Sequence, residues 1–390
     1  MTRLDHPFLR DPALQQVLAA LTRDGHRALI VGGAVRNALL GEPIADVDIA
    51  TSAPPEETRR LAEAAGLRAV PTGVDHGTIT VVADGKGFEV TSFRRDVETD
   101  GRRAVVAFSD RIEDDAERRD FTMNALYADA SGEVLDPVGG LPDLAARRLR
   151  FVGDPEARIT EDYLRILRFF RFQARYGAKG AADPAALAAC TALAEGLDRI
   201  SKERIGAEMR KLLAAPDPTE AVALMDQAGI LARILPGADA RALPGLVAAE
   251  REAEETPNWQ TRLALLAPAD ALRDLRLSRD EARLHDRITA ATQLDPAEAG
   301  FRHGAAIARP AALIRRARGM ALAPDWQERI ARAAEARLPL AAADLMPALS
   351  GPALGEALRR AEDAFVASDF ALPRDALLRI ALERQDAMKG

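Results

Sequence analysis

The stretch ALIVGGAVRNALLGEPIADVDIAT, residues 28–51, changes character three times. An apolar run ends at Gly32 and Gly33, a helical pattern follows, and Asp46 and Asp48 come one residue apart. Glycine allows a tight turn or a close approach of the backbone to a ligand, and a strand places residues i and i+2 on the same face. Strand, Gly-Gly turn, helix and carboxylate pair together predict a phosphate-binding turn beside a site for a divalent metal.

The composition of the 390 residues bounds the class of protein. Hydrophobic residues make up 48% and charged residues 29%, which is typical of a globular chain of two or three domains. No apolar stretch approaches the roughly 20 residues of a membrane span, and we see no export signal, so we expect no membrane partner. Cys190 is the single cysteine, which excludes disulfides and thiolate zinc sites and fits a cytoplasmic location.

The charge of the chain is unevenly distributed. The formal net charge is −7, which argues against a coat of basic surface but does not exclude nucleic acid, because phosphate contact depends on local patches. Residues 146–180 carry nine Arg or Lys against four Asp or Glu. The sequence therefore predicts an acidic protein with one basic segment.

Two regions of different pattern follow each other along the chain. Short β-branched or apolar runs predict strands at RALIVGG, DVDIAT, GTITVVA and GFEVTSF, with a helix at PPEETRRLAEAAG between them. The charged segment 94–120 is weakly periodic and predicts a mobile loop. From about residue 146 onward only helical periodicity is found. We expect an α+β fold, with a mixed-sheet head over 1–145, a helical neck over 146–240 and a helical body and tail over 241–390.

A third carboxylate strengthens the metal interpretation. A lone Asp-x-Asp is more often a solvated strand end than a ligand pair. Glu89, however, lies inside the apolar pattern GFEVTSF, where an unpaired charge is costly. Two metal ions beside Asp46, Asp48 and Glu89 suit in-line displacement at phosphorus, and carboxylate ligands favour Mg²⁺ or Mn²⁺ over zinc.

A second polar cluster lies in RRDFTMNALYAD, residues 118–129. Arg119 precedes a helical run and Asn124 lies about one turn further on. Taken alone, this is equally well a charged and capped start of a helix. Beside a bound triphosphate, Arg119 is a candidate phosphate clamp, as is Arg36 one turn into the helix that follows the glycines.

With these motifs, the chain resembles the class II tRNA nucleotidyltransferases, the CCA-adding enzymes of the polymerase β-like superfamily. That superfamily also includes bacterial poly(A) polymerase. The resemblance covers residues 28–213, in family order. The matching stretches are VGGAVRNALLG, DVDIATSAPPEE, GTITVV, FEVTSFRRD, RRDFTMNALYAD, DPVGGLPDL, RRLRFVGDPEARITEDYLRILRFFRF and RISKERIGAEMRKLL.

The resemblance implies a polymerase β-like head and the addition of C, C and A to the 3′ end of tRNA from CTP and ATP. It implies Asp46 and Asp48 as metal ligands, and it implies a set of nucleotide-binding residues: Gly33, Arg36, Arg119, Asp162, Arg165, Arg168 and Arg171. To this set we add Gly32 and Asn124 from their positions in the motifs. Asn37 departs from the family, which usually has Asp there, and the aromatic residue usual near Thr99 is absent.

The segment ITEDYLRILRFFRF offers a way to select a base. Read as one helix, it places Asp162, Arg165, Arg168 and Arg171 along one side. An ordinary amphipathic helix with an Asp–Arg pair is the simpler alternative. Cytosine and adenine both present an amino donor beside a ring-nitrogen acceptor, which a carboxylate and a guanidinium would complement. Uracil and guanine reverse that order, so the pair would reject them.

Three rival functions stay open at this stage. A poly(A) polymerase or a partial tRNA nucleotidyltransferase shares the chemistry, although PTGVDHGTITVV, residues 71–82, has the form typical of CCA-adding enzymes. An HD-type phosphohydrolase would need His285, Asp286 and His303, which are few for such a site. An RNA-binding protein without catalysis is the third alternative, and the intact carboxylates speak against it. The sequence indicates no protein partner.

Overall fold

The computed structural model divides into two compact units, Met1–Ile234 and Leu235–Gly390. It describes residues 2–73, 77–100, 103–268, 275–346 and 348–383, with the backbone alone for 96–100 and 103–106. The predicted neck lies largely in the first unit, together with the head, and the predicted body in the second. The internal boundary at residue 145 therefore stays a proposal.

Among the described residues of the first unit, nine strands form two sheets. The strands are β1 (Ala28–Val31), β2 (Asp48–Thr51), β3 (Arg68–Gly73), β4 (Thr78–Ala83), β5 (Lys86–Ser92), β6 (Arg94–Asp100), β7 (Arg103–Phe108), β8 (Tyr127–Ala128) and β9 (Val134–Leu135). Seven of them make a mixed sheet in the order β3-β4-β5-β2-β1-β8-β9, in which only β2 and β5 run parallel. The four strands and the mixed sheet predicted from the sequence are confirmed.

Eleven helices of the first unit surround and follow this sheet in the described residues. They are α1 (Pro12–Leu21), α2 (Gly33–Leu40), α3 (Pro55–Ala64), α4 (Ile112–Glu117), α5 (Gly140–Ala145), α6 (Pro155–Glu161), α7 (Leu164–Tyr176), α8 (Pro184–Ala192), α9 (Lys202–Leu213), α10 (Thr219–Gln227) and α11 (Ile230–Ile234). The helix predicted at PPEETRRLAEAAG is α3, with prolines at its start and an exposed acidic first turn.

The segment 94–120 corrects the sequence interpretation, because it is not an irregular loop. β6 and β7 form an antiparallel hairpin from Arg94↔Phe108 to Asp100↔Arg103, and α4 follows it. Charged residues are uncommon in strands, so their abundance here indicated a loop. The dipeptide Asp-Gly at residues 100–101 of the sequence is a hairpin signal that could have revealed the pairing.

Aromatic packing fixes α7 against the residues that follow the hairpin. Phe121 stacks with Phe151 and Phe172 at centroid distances of 4.9 and 5.2 Å, and Phe151 stacks with Phe169 at 6.0 Å. All four rings are buried. Burial of this much aromatic surface holds the arginine-rich face of α7 at a fixed position beside the head.

The second unit is helical throughout its described part, as predicted. Its helices are α12 (Leu243–Glu252), α13 (Trp259–Leu266), α14 (Arg279–Ala291), α15 (Pro296–His303), α16 (Ala305–Ala317), α17 (Trp326–Glu335), α18 (Ala342–Leu345), α19 (Gly351–Ala367) and α20 (Arg374–Leu382). Its C-terminal part has a core of its own around Phe365 and Leu377. None of the helices in the described ranges combines the length and apolar character that a membrane crossing requires.

Candidate active site

The Gly-Gly turn lies at the end of β1. Gly32 has φ +68°, which favours glycine, and precedes Gly33, the first residue of α2. A Cβ on Gly32 would lie 3.4 Å from Nη1 of Arg119. Val31 pairs with Asp48 in the sheet, which brings the start of α2 beside that aspartate. The unpaired N–H groups of the first helical turn and the Asp48 carboxylate therefore share one edge of the sheet.

A cleft of about 680 Å³ brings the three predicted metal ligands together. Asp46, Asp48 and Glu89 line it, with Thr80 and Lys86. Asp48 begins β2, and Glu89 lies on β5, the parallel neighbour of β2. The sequence interpretation needs one correction, since Asp46 precedes β2 by two residues and lies in the connection after α2.

The electrostatics of the cleft fit a divalent cation. Desolvation raises the pKa of Asp48, and the charges of Glu89 and Asp46 raise it further, while Arg119 acts in the opposite direction. A bound cation would offset this repulsion, and carboxylate oxygens are the donors that Mg²⁺ prefers. Among the described residues, no group of three or more His, Cys, Asp or Glu side chains is arranged to hold an ion by itself. Water and substrate phosphate would therefore complete the coordination, which is usual for Mg²⁺.

Arg119 is held over the turn by two buried partners that sequence reasoning missed. Its Nε and Nη2 donate to Asp115 at 3.2 and 2.8 Å, and Nε also donates to the Tyr127 hydroxyl at 3.1 Å. Burial opposes protonation, but Asp115 and Tyr127 outweigh it and raise the pKa of Arg119 above its usual value. The third nitrogen, Nη1, faces Gly32. The i, i+4 spacing of Asp115 and Arg119 is the signal that could have revealed this pair.

Arg36, Asn124 and the half-buried Arg168 form a hydrogen-bonded network rather than lining the carboxylate cleft. Arg36 donates to Asn124, whose Nδ2 donates to Asp120 at 2.9 Å. Arg168 donates to Asp120 from Nε, also at 2.9 Å. Burial works against the ionised form of Asp120, yet Arg168 and Asn124 hold its pKa at about 2. Arg36 also donates to the Tyr176 hydroxyl at 2.8 Å, so the network joins α2 to α7.

Asn37 keeps a partner for Arg36 at the position where the family usually has Asp. Its Oδ1 accepts from Nε and Nη2 of Arg36 at 3.0 and 2.8 Å. Its Nδ2 donates to the carbonyl of Pro43 at 2.6 Å, a contact that a carboxylate could not make. The departure therefore removes a charge from the pair but preserves its hydrogen bonds.

The helix predicted to read the base is interrupted where the sequence predicts continuity. α6 ends at Glu161, Asp162 is extended with φ −154°, and α7 begins at Leu164. Asp162 accepts from the backbone N–H of Leu164, as a capping aspartate does, and from Arg204 at 2.6 Å. Arg165 instead pairs with Glu161, and the ion pairs among the described residues do not join Asp162 to Arg165.

Arg171 lies further along α7, in a basic pocket of about 370 Å³. Its Nε is 2.8 Å from a carboxylate oxygen of Glu208 on α9, without hydrogen-bond geometry. Burial lowers the pKa of Arg171, against the attraction of Glu208. Neither Arg204 nor Glu208 was anticipated, because both lie on α9 within an ordinary charged amphipathic pattern.

The residues of the phosphohydrolase alternative do not assemble a site. His285 is buried, and its Nε2 lies 3.2 Å from the carbonyl of Ala267. Its Nδ1 is 3.6 Å from the exposed carboxylate of Asp286. His303 ends a different helix, α15, where burial lowers its pKa. This arrangement is that of a core histidine.

The fold matches that of solved proteins. The CCA-adding enzyme of Bacillus stearothermophilus, solved in complex with CTP, is 32% identical, with a TM-score of 0.73 over 94% of each chain. This chain belongs to the CCA-adding enzyme family. The Thermotoga maritima CCA-adding enzyme, solved with tRNA, shares the fold at 18% identity, with a TM-score of 0.69 over 98% of this chain and 99% of that one.

Curated members of the CCA-adding enzyme family align with part of the chain. The enzyme of Geobacillus thermodenitrificans is 43% identical over 231 residues, 58% of this chain and 55% of its own length. Human CCA tRNA nucleotidyltransferase 1, mitochondrial, is 43% identical over 202 residues, 51% and 46% of the two chains. The chain thus spans about half the length of these curated relatives.

Two family models also match the chain. The poly A polymerase head domain matches residues 28–150. The probable RNA and SrmB-binding site of polymerase A matches residues 182–241. The first match covers the mixed sheet and the carboxylate cleft, and the second covers α8 to α11, which follow the interrupted helix.

Proposed function

We propose that this protein adds C, C and A to the 3′ end of tRNA from CTP and ATP, without a template and with release of pyrophosphate. The observation that carries the proposal is the cleft in which Asp46, Asp48 and Glu89 lie beside the Gly32–Gly33 turn. Family membership supports the same reaction. The tRNA 3′ end, CTP and ATP are accordingly the proposed partners.

Mg²⁺ is the proposed cofactor, with Mn²⁺ as a substitute. Asp46 and Asp48 would hold it, with Glu89 as a third carboxylate on the adjacent strand. When bound, the metal supplies charge neutralisation at the phosphates and a more acidic attacking hydroxyl group. The chain itself contributes orientation: the N–H groups that begin α2 and Nη1 of Arg119 bind phosphate oxygens from two sides.

Base selection is assigned to Asp162 and Arg165. A carboxylate accepts from the amino group that cytosine and adenine share, and a guanidinium donates to the adjacent ring nitrogen. Arg204 and Glu161 hold the two side chains in the free protein. An incoming base must therefore compete with these ion pairs, which favours only a base that replaces both hydrogen bonds.

The helical neck and body, 146–240 and 241–390, are proposed to bind the body of the tRNA. Arginine and lysine on helices suit contact with the RNA backbone, which is salt-dependent and largely independent of sequence. A cytoplasmic location, expected from the sequence, stays a prediction.

Poly(A) polymerase is the second candidate, because the head of the chain matches a model described as a poly A polymerase head domain. The test uses tRNA that ends before the CCA sequence. We expect two added nucleotides with CTP alone, almost none with ATP alone, and three with both. Long adenosine tails with ATP alone would favour poly(A) polymerase, and RNA binding without addition would favour an inert RNA-binding protein.

A further inference from the structure

The basic pocket at the C-terminal end of α7 is a cavity of about 370 Å³. Four cationic side chains line it, together with two aromatic rings and two alanines: Arg36, Arg171, Arg175, Lys211, Phe172, Tyr176, Ala214 and Ala215. We call this the α7 pocket. It shares no lining residue with the carboxylate cleft.

The α7 pocket carries an excess of positive charge. Arg171 is paired with Glu208, and Arg175 donates to Glu42 at 3.0 Å. The ion pairs of the described residues include neither Arg36 nor Lys211, and the Lys211 side chain is exposed. The lining of the pocket therefore carries more positive than negative charge, which favours the binding of an anion.

Two arginine side chains of the pocket pack against its aromatic rings. Arg36 is only 7% exposed, and its guanidinium carbon lies 4.1 Å from the centre of the Tyr176 ring. The guanidinium carbon of Arg171 lies 4.5 Å from the centre of the Phe172 ring. Burial lowers the pKa of Arg36 and that of Arg171. Burial of these charged groups costs free energy, and a bound anion would offset that cost.

The position of the pocket indicates which anion it meets. Arg36 follows Gly33 by three residues, or about 4.5 Å along α2, so the pocket is close to the phosphate-binding turn. Arg165 and Tyr176 are eleven residues apart on α7, or about 16 Å, which separates the pocket from the base-reading end. A Cβ on Gly33 would lie 3.7 Å from Nη2 of Arg36, so a residue that lines the pocket lies against the turn proposed to bind the phosphates.

We propose that the α7 pocket binds the pyrophosphate product, and that Lys211 and Arg175 are the residues that hold it as it leaves. This proposal rests on the proposed function, since nucleotidyl transfer is the source of pyrophosphate. Lys211 and Arg175 can rearrange toward an anion because Lys211 has a flexible stem and the Arg175–Glu42 pair is partly exposed. An RNA backbone phosphate has the same chemistry and is the alternative occupant.

The experiment measures the binding of inorganic pyrophosphate to the full-length protein by titration calorimetry. It also measures pyrophosphate as an inhibitor of CTP addition. Lys211→Met keeps the aliphatic stem and removes the charge, and we expect it to weaken pyrophosphate binding by about ten-fold, as for one charged hydrogen bond. Glu42→Gln frees Arg175 from its ion pair and should strengthen pyrophosphate binding. Lys179→Met removes a charge that lines a neighbouring cleft instead and should change nothing.

The results separate the possible outcomes. Equal pyrophosphate binding by Lys211→Met and Lys179→Met would overturn the proposal. So would a Lys211→Met variant that loses affinity for truncated tRNA but not for pyrophosphate, because the occupant would then be RNA phosphate. If the unchanged protein added no nucleotide at all, the proposed function would fail, whereas Lys211-dependent binding of pyrophosphate would still be measurable and would stand.

Discussion

At the scale of single residues, the acidic residues that line the cleft could be predicted from the sequence, but the partners of the arginines could not. Asp46, Asp48 and Glu89 lie in short motifs whose local pattern indicates their role. The partners of Arg36 and Arg119 depend on tertiary contacts, such as the one between Arg36 and Tyr176, 140 residues apart. Local pattern carries no information about such pairs, because burial of a guanidinium is decided by the packing around it.

Asp48→Asn should abolish activity and stabilise the metal-free protein. We expect turnover to fall by several powers of ten, because a metal ligand is lost. The pKa of Asp48 is raised in the folded state, so the ionised carboxylate opposes folding at neutral pH. The variant should therefore melt at a higher Tm in EDTA, and the gain should vanish as the pH falls below the ordinary pKa of aspartate. A lower Tm at neutral pH would contradict the electrostatic account of the cleft.

Asp162→Ala should relax base selection and slow the reaction. Loss of one charged hydrogen bond, about 1.5–3 kcal/mol, lowers kcat/KM for CTP and ATP by roughly 10- to 150-fold. The measurement compares kcat/KM for all four triphosphates on one truncated tRNA. Asp375→Ala, an exposed substitution in α20, is the control. Full discrimination against UTP and GTP in the variant would assign base reading to other residues.

At the scale of elements, strands with a clear apolar pattern and the helix α3 could be predicted, while three kinds of element could not. β8 and β9 have two residues each, too few for a pattern. In the described residues, β6 and β7 form a two-stranded sheet of their own. The sequence of this hairpin therefore did not need the alternating apolar pattern by which strands are predicted. The break between α6 and α7 comes from Asp162 as a cap, which the continuous helical periodicity concealed.

Gly196→Ala tests how the break between α6 and α7 is held. A Cβ at this position would lie 1.8–2.3 Å from the Tyr163 ring, which must then move together with its neighbour Asp162. We expect a loss of about 1–3 kcal/mol of unfolding free energy, measured in urea, and weaker discrimination among triphosphates. Gly355→Ala is the control, since open space surrounds that glycine in α19. Unchanged stability of Gly196→Ala would show that Tyr163 does not pack as described.

The hairpin should act in the change from C to A addition. Cytosine and adenine share the edge that Asp162 and Arg165 are proposed to recognise, so a further element has to separate the two steps. The hairpin leads directly into α4, which carries Asp115, the partner of Arg119. Replacing residues 96–106 by a short turn should leave products that end in CC. Equal loss of both steps, measured on denaturing gels, would make the hairpin a general scaffold.

At the scale of the whole molecule, the change from a mixed sheet to helices could be predicted from periodicity, but the packing could not. The sequence placed its last boundary at residue 240, close to the division after Ile234. Buried ion pairs such as Arg262 with Glu250 cannot be predicted from a sequence, because charged residues normally indicate surface.

The motif PTGVDHGTITVV, residues 71–82, has the form typical of CCA-adding enzymes. Its residues 74–76 lie outside the described residues.

We infer that a protein site, without a nucleic-acid template, selects C, C and A in that order. The most direct measurement supplies a tRNA that lacks its CCA end with all four triphosphates at equal concentration and Mg²⁺, and then sequences the 3′ ends. We predict that the products end in CCA and grow no further, and that the double variant Asp46→Asn with Asp48→Asn adds nothing. Incorporation of U or G, or continued addition of A, would contradict the account.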